Sequence, residues 1–131
     1  MNEQLSQIAV VDDDDAVRIA LVRLLRSASM DARAFASGIA FIESLSTSTP
    51  ICVILDLHMP GLSGMEVQTR LAQSWPSIPV IIVTGNHAEA TYADVMRLHP
   101  VAYLLKPVDS ALLFEAVYSA LQRCCPGHLH R

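Results

Sequence analysis

The fold is decided by Ile8-Ala9-Val10-Val11-Asp12-Asp13-Asp14-Asp15, an apolar run that ends abruptly in four carboxylates. Such a run is typical of a strand buried on both faces, and open α/β sheets bind ligands where their strands end. The clustered negative charge favours a cation, and Mg²⁺ prefers carboxylate and water oxygens. The alternative is that the aspartates cap the next helix by accepting hydrogen bonds from its free N–H groups. We assign capping to Asp14 or Asp15 and the ion site to Asp12 and Asp13.

Length and composition are those of one ordinary domain. The chain has 131 residues, only five glycines and no low-complexity tract, which argues against disorder. Its net charge of −4 is concentrated in the aspartate run and its arginines are scattered, so we expect no direct nucleic-acid binding by this segment. No apolar run approaches the ~20 residues of a membrane-spanning helix, and the N-terminus does not resemble a signal peptide. We therefore expect a cytoplasmic protein that does not contact a membrane, and its three cysteines lack metal-site spacing.

Strand-like and helix-like segments alternate along the whole chain. The predicted strands cover residues 8–12, 32–35, 51–55, 80–84 and 102–105. The predicted helices lie near residues 17–25, 38–45, 65–74, 88–98 and 110–123. Five βα units with short connections predict an α/β fold, a doubly wound parallel sheet with helices on both faces.

Four of the predicted strands end in residues with useful chemistry. The first delivers Asp12 and Asp13, the third Asp56, the fourth Thr84 and the fifth Lys106. Because parallel strands end at one edge of a sheet, we expect these residues to form a single site. Any one of them alone is more commonly a surface polar residue, but their coincidence makes that explanation improbable. Lys106 is the only lysine in the chain, and a compact ammonium suits contact with a phosphoryl oxygen.

These residues and their neighbours resemble the receiver domain of a two-component response regulator. The matching pieces stand in family order and at family spacing: Val10-Val11-Asp12-Asp13-Asp14, Ile54-Leu55-Asp56-Leu57-His58-Met59-Pro60-Gly61-Leu62-Ser63-Gly64, Val83-Thr84-Gly85 and Tyr103-Leu104-Leu105-Lys106-Pro107. The aspartate run and the Val-Thr-Gly piece are similar to those of receivers joined to a LuxR-type helix-turn-helix output domain. The resemblance implies a flavodoxin-like (βα)5 fold with strand order 2-1-3-4-5. It also implies one receiver domain over residues 1–125, with residues 126–131 as a C-terminal tail or the start of a linker.

The resemblance implies that Asp56 is the phosphoacceptor, a carboxylate that takes a phosphoryl group from the phosphohistidine of a sensor histidine kinase. Mg²⁺, with Mn²⁺ as a possible substitute, would be held directly by Asp13, Asp56 and the backbone carbonyl of His58. Asp12 would contact the ion through a bound water. Three carboxylates this close repel one another, so a divalent ion is expected to hold them together.

The resemblance also implies a switch. The Thr84 hydroxyl and the Lys106 ammonium would hold phosphoryl oxygens, and Tyr103 matches the family's switch aromatic, although it fits an ordinary core position as well. Pro107 would follow a cis peptide bond and thereby orient the Lys106 side chain. As an exposed residue at a strand end, Lys106 is expected to contribute little to stability. The surface of the fourth helix, fifth strand and fifth helix would then contact an effector domain or protein, or a second receiver. The core stripe of the fifth helix would leave Phe114 and Tyr118 at its edge, where a partner could cover them; the alternative is that both aromatics pack under the fourth helix.

Rival functions fit less well. An aspartate-nucleophile phosphatase needs a second acid two residues after its nucleophile, where this chain has His58. We therefore expect no turnover enzyme, but a domain that catalyses its own phosphorylation and dephosphorylation. The remaining alternative is a degenerate receiver that serves only as a protein-interaction module, and the intact site residues argue against it. One departure from the family pattern is His99-Pro100, where Gly-Ala is usual.

Overall fold

The structure is a computed structural model that describes residues 7–86 and 88–124. Strands and helices alternate through these residues: β1 Ile8–Val11, α1 Asp15–Ser27, β2 Ala32–Phe35, α2 Gly38–Ser44, β3 Cys52–Asp56, α3 Gly64–Ser74, β4 Val80–Thr84, α4 Glu89–Met96, β5 Ala102–Leu105 and α5 Ser110–Cys124. The predicted tail or linker at residues 126–131 lies outside the described residues. No helix in the described part of the chain is long and apolar enough to cross a membrane.

The five strands form one parallel sheet in the order β2-β1-β3-β4-β5. Each central strand is buried on both faces, and its residues alternate between two apolar layers. In β1, for example, Ala9 and Val11 contribute to one core cluster, whereas Ile8 and Val10 contribute to the other. The first layer is completed by α2, α3 and α4, and the second by α1 and α5. The predicted flavodoxin-like, doubly wound sheet is confirmed.

The helix boundaries follow from local chemistry. The side chain of Asp14 accepts hydrogen bonds from the backbone N–H groups of Ala16 and Val17, so α1 begins at Asp15 and the predicted capping is confirmed. A capping box between Ser63 and Glu66 starts α3 in the same way.

Helix α4 differs from α1, α2 and α3 in having no side-chain cap hydrogen bond at its N-terminus. It begins after Ala88, which offers no side-chain cap, and it ends at Met96, two residues earlier than predicted. Among its residues whose side chains are described, only Val95 is fully buried. Among the described side chains, α4 thus buries one residue against the sheet, whereas α1 buries Leu21 and Leu25.

Candidate functional site

The parallel topology brings the predicted site residues to one edge of the sheet. Asp12 follows β1, Asp56 and Thr84 end β3 and β4, and Lys106 follows β5. Asp12, Asp56 and Thr84 are buried, whereas Asp13 is exposed. Asp12, Asp13 and Asp56 each offer a carboxylate oxygen, and these oxygens lie within 4.8 Å of one another. The predicted convergence of strand ends therefore holds for the backbone and for the three carboxylates.

The Lys106 ammonium lies between two buried carboxylates. Its Nζ is 2.9 Å from Asp12 Oδ2 and 3.4 Å from Asp56 Oδ1. Burial alone would lower the pKa of the Lys106 ammonium, but the hydrogen-bonding and charge of Asp12 and Asp56 outweigh it and raise that pKa. The expectation that Lys106 is an exposed residue with little effect on stability is wrong, because its side chain is only 20% exposed and forms both ion pairs. The peptide bond between Lys106 and Pro107 is cis, as predicted.

The surroundings of Asp56 disfavour the ionised form of its carboxyl group. Burial and then the neighbouring charge of Asp12 raise the pKa of Asp56 from 3.8 to about 6, although Lys106 and the backbone N–H of His58 oppose the rise. At neutral pH the group is therefore mostly ionised, but its proton is held more tightly than that of an exposed aspartate. Strongly perturbed carboxylates of this kind concentrate at functional sites.

The four consecutive aspartates have four different environments. Asp12 Oδ1 accepts a hydrogen bond from the Asp14 backbone N–H at 2.9 Å, which fixes the turn into α1. Asp13 points to solvent, Asp14 caps α1, and Asp15 forms an ion pair with Arg18. Arg18 also donates a hydrogen bond to the Asp12 backbone carbonyl at 2.9 Å. Sequence reasoning missed Arg18, although its position three residues after Asp15 on a predicted helix was a signal for an ion pair.

The carboxylates border an open cavity of about 590 Å³. Its lining residues include Asp13, Asp56, His58, Asn86 and Lys106. The cavity has room for a phosphoryl group and a hydrated cation beside Asp56.

The Thr84 hydroxyl is not turned to this cavity. It donates to the Asn86 backbone carbonyl at 3.1 Å and is 3.2 Å from the Asn86 backbone N–H, from which it accepts a hydrogen bond. Thr84 is fully buried, and it is absent from the residues that line the cavity. The structure thus places Thr84 at the predicted strand end, and its hydroxyl is hydrogen-bonded to the backbone of the loop that leads to α4.

Gly64 lets α3 pack directly against the loop after Asp56. A Cβ atom at this position would lie 2.1 Å from the Asp56 backbone carbonyl oxygen and 2.5 Å from Leu57 Cα. The Gly64 N–H donates to the Leu57 carbonyl at 2.9 Å, so the backbones are in direct contact. No side chain fits this contact without a shift of the backbone at Asp56 and Leu57.

Tyr103 connects β5 to α4. Its half-buried ring packs against the first core cluster and meets the ring of Tyr92 edge-to-face, with centroids 4.8 Å apart. Large apolar side chains are exposed on β5 and α5, namely Leu105, Leu112 and Tyr118. Tyr118 is 60% exposed, whereas Phe114 is partly buried against the second core cluster.

The donor set fits a hard divalent cation. Three carboxylates share the site with the single Lys106 ammonium among the described residues, which leaves an excess of negative charge. All of the available ligand atoms are oxygens, the type that Mg²⁺ and Mn²⁺ prefer over nitrogen or sulfur.

Comparison with known proteins gives one consistent family. Residues 8–118 match the family model of the response regulator receiver domain. The chain is 34% identical over 122 residues to response regulator protein TmoT from Ectopseudomonas mendocina, which covers 93% of this chain and 56% of TmoT. It is 34% identical over 116 residues to transcriptional regulatory protein FixJ from Azorhizobium caulinodans, which covers 88% of this chain and 55% of FixJ. The chain thus spans about half the length of the curated relatives it matches.

Solved structures agree with this result. Response regulator StyR superposes with a TM-score of 0.82 at 30% sequence identity, covering 93% of this chain and 62% of that chain. A response regulator receiver protein from Pseudomonas putida superposes with a TM-score of 0.83 at 31% identity, covering 87% of this chain and 96% of that one.

Proposed function

Because this chain belongs to the response regulator receiver family, we propose that it accepts a phosphoryl group on Asp56 from a sensor histidine kinase. One observation carries the proposal: Asp56 ends the central strand β3, is only 4% exposed, and borders a cavity shared with Asp13 and Lys106. This arrangement presents one carboxylate to an incoming phosphorus and surrounds it with groups that hold charge.

In the proposed transfer, an Asp56 carboxylate oxygen attacks the phosphorus of the kinase phosphohistidine. The new O–P bond forms as the N–P bond breaks, and the imidazole nitrogen keeps the electron pair. The Lys106 ammonium, 3.4 Å from Asp56 Oδ1, is positioned to contact a phosphoryl oxygen as negative charge builds there. Attack by water on the phosphorus of the acyl phosphate would break its bond to the Asp56 oxygen, release inorganic phosphate and return the free carboxylate. The domain thus catalyses its own phosphorylation and dephosphorylation without being a turnover enzyme.

The carboxylate cluster supplies the proposed metal site. Asp13, Asp56 and the His58 backbone carbonyl would hold Mg²⁺, or Mn²⁺ in its place, while Asp12 would act through a bound water. When bound, the ion neutralises the clustered carboxylates and the oxygens of the transferring phosphoryl group. The buried position of Asp12 and its 2.9 Å contact with Lys106 Nζ support an indirect role for Asp12.

The proposed readout is a change in the surface of α4, β5 and α5. The Thr84 hydroxyl would exchange its hydrogen bonds with Asn86 for one to a phosphoryl oxygen, and its movement would vacate space for the Tyr103 ring. The contact of Tyr103 with Tyr92 would then change, which alters the exposed apolar surface that a partner covers. We propose a second receiver, or an effector domain or protein, as that partner.

The proposed setting is a cytoplasmic two-component system that regulates transcription. Residues 1–125 would form the receiver and residues 126–131 a tail or the start of a linker. The chain spans about half of its relatives' length, and the Val83-Thr84-Gly85 piece favours a LuxR-type output domain as the effector in this system.

Mass spectrometry after incubation with acetyl phosphate and Mg²⁺ tests the proposal. We expect one added phosphoryl group on the wild-type chain, and none after chelation of Mg²⁺ or in Asp56→Asn. Asp31→Asn, which alters an exposed aspartate away from the site, is the matched control and should be modified like the wild type. Equal modification of Asp56→Asn would contradict the assignment of the acceptor. An unmodified wild-type chain would instead favour the degenerate receiver that acts only as an interaction module.

A further inference from the structure

Arg18 connects the first turn of α1 to the turn that precedes it. Its Nη1 donates a hydrogen bond to the Asp12 backbone carbonyl at 2.9 Å, and its Nη2 donates to Asp15 Oδ1. The Arg18 side chain is only 16% exposed, whereas that of Asp15 is 80% exposed. Long charged side chains usually keep their head groups in water. The Arg18 guanidinium lies instead against the backbone from which the carboxylates of the site project.

The peptide unit that Arg18 contacts is the one that joins Asp12 to Asp13. Because a peptide unit is planar, a contact that fixes the direction of its carbonyl also fixes the N–H and the Cα of Asp13. A guanidinium carries its N–H donors in a rigid fork, so one side chain can bond a carbonyl and a carboxylate together. Its charge also strengthens both hydrogen bonds. Arg18 therefore helps to set where Asp13 starts relative to α1.

Asp13 depends on its backbone more than the other two carboxylates of the site. Asp12 Oδ1 accepts a hydrogen bond from the Asp14 N–H, and Asp12 Oδ2 is 2.9 Å from Lys106 Nζ. Asp56 is buried and lies 3.4 Å from the same ammonium. Asp13 is exposed, and its side chain has no hydrogen bond or ion pair within the described part of the chain. Its position within 4.8 Å of the other two carboxylates is thus set by the backbone.

We propose that Arg18 is a positioning residue for the divalent cation. It does not contact the ion; by holding the Asp12 carbonyl, it directs the Asp13 carboxylate toward the place that the ion takes. This inference rests on the proposed metal site and adds to it a residue outside the set of ligands. Partners that orient metal ligands typically change metal affinity by roughly 10–100-fold when they are removed.

Charge and position predict opposite effects for the loss of Arg18. A guanidinium bonded to the Asp12 carbonyl lies close to the proposed ion, and like charges repel each other. If charge alone acted, Arg18→Met would bind a divalent cation more tightly than the wild type. If Arg18 positions Asp13, the same variant binds the cation more weakly, because the carboxylate is no longer held toward the ion. The sign of the change separates the two effects.

Binding of Mn²⁺ to the full chain tests the proposal without a phosphoryl donor. The electron paramagnetic resonance signal of free Mn²⁺ is lost on binding, and the part of this loss that disappears in Asp13→Ala belongs to the site. We expect Arg18→Met to weaken this binding about ten-fold. Arg18→Lys keeps the charge but lacks the fork that spans both partners, so it should weaken binding about three-fold.

Arg26→Met is the matched control for a loss of helix stability. Arg26 lies on the same helix, about 12 Å farther along it, and its Nη2 also donates to a backbone carbonyl, that of Ala32, at 3.0 Å. Arg26→Met should therefore lose a similar hydrogen bond and keep the Mn²⁺ affinity of the wild type.

The outcomes separate this proposal from the metal site on which it rests. A wild-type chain that binds no Mn²⁺ through Asp13 would overturn the metal site and the role of Arg18 together. If the wild type binds Mn²⁺, equal or tighter binding by Arg18→Met overturns the role of Arg18 alone. Wild-type affinity in Arg18→Lys does the same, and this variant decides the matter if Arg18→Met does not fold. An equal loss of affinity in Arg26→Met would also overturn the proposal, because the effect would then come from helix stability.

Discussion

Replacement of Asp56, the proposed phosphoacceptor, is expected to stabilise the fold. The pKa of Asp56 rises from 3.8 to about 6 because burial and the charge of Asp12 disfavour its ionised form. At about 1.4 kcal/mol for each pKa unit, ionisation of Asp56 costs the folded state at most about 3 kcal/mol. Asp56→Asn removes that charge and keeps the shape of the side chain. Because an amide needs partners of its own, we expect a gain of about 1–3 kcal/mol in the free energy of unfolding at pH 7.5.

The sign of the pH dependence follows from the direction of the pKa shift. A carboxyl whose folded-state pKa lies above its unfolded value holds its proton more tightly in the folded state. Its contribution to stability is fully present below about pH 3.8 and is lost as the pH rises through about 6. The stability difference between Asp56→Asn and the wild type should therefore be near zero at pH 4, grow between pH 4 and 6, and be constant above pH 7.

Urea unfolding in the presence of a chelator measures this difference directly. Unfolding curves of both chains between pH 4 and 8 give the free energy of unfolding at each pH, and titrating groups remote from Asp56 cancel in the difference. Asp31→Asn is the control for loss of an exposed charge and should show no comparable gain. An Asp56→Asn chain that is less stable than the wild type at pH 7.5 would refute the reasoning, as would a difference that does not change with pH.

Four further outcomes are expected. Lys106→Ala should slow modification by acetyl phosphate. It should also lower the free energy of unfolding by about 1–2 kcal/mol, because the buried carboxylates of Asp12 and Asp56 lose their counter-charge. Mg²⁺ should restore part of that lost stability. Mg²⁺ should raise the melting temperature of the wild type, and Asp13→Ala should remove most of that rise in a thermal scan. In urea, Gly64→Ala should cost at least about 2 kcal/mol because its Cβ meets backbone, whereas Gly61→Ala, which meets open space at a φ of 74°, should cost only about 1 kcal/mol. Beryllofluoride, a mimic of the phosphoryl group, should change the sedimentation of the chain or the amide exchange of residues 88–123, and an unchanged result in both would exclude the proposed switch surface.

The sheet was predictable because its strands carry the strongest pattern that a sequence can show. Runs such as Val53-Ile54-Leu55 are apolar at every position, as expected of a parallel strand that is covered on both faces of the sheet. The convergence of Asp12, Asp56 and Lys106 followed from topology alone, since parallel strands end at the same edge. The boundaries of α4 were less predictable, because this helix lacks a side-chain cap and a wide apolar stripe.

Interactions between distant residues were beyond sequence reasoning. No local sequence pattern predicts that the Gln68 side chain donates a hydrogen bond to the Val95 carbonyl, 27 positions away. The contact of Gly64 with the Asp56 carbonyl depends on the approach angle of α3, which the sequence does not state. The same holds for the Thr84 hydroxyl: its place at a strand end was predictable, but its hydrogen bonds with Asn86 depend on how the following loop turns back.

Helix α4 follows the loop that begins at Thr84, so it is the helix next to the site residue at the end of β4. The loop that enters α4 is held by the Thr84 hydroxyl through Asn86, and the first turn of α4 has no side-chain cap at Ala88. Its far end is held by the buried Val95 and by the hydrogen bond from Gln68. Each net hydrogen bond contributes only about 1 kcal/mol, so loss of the two at Thr84 is a large share of what holds the entry of α4. A helix with a deep apolar stripe, such as α5 with Leu113 and Val117, would not respond to so small a change. The proposed switch therefore requires a poorly secured α4, and a better cap at Ala88 would oppose it.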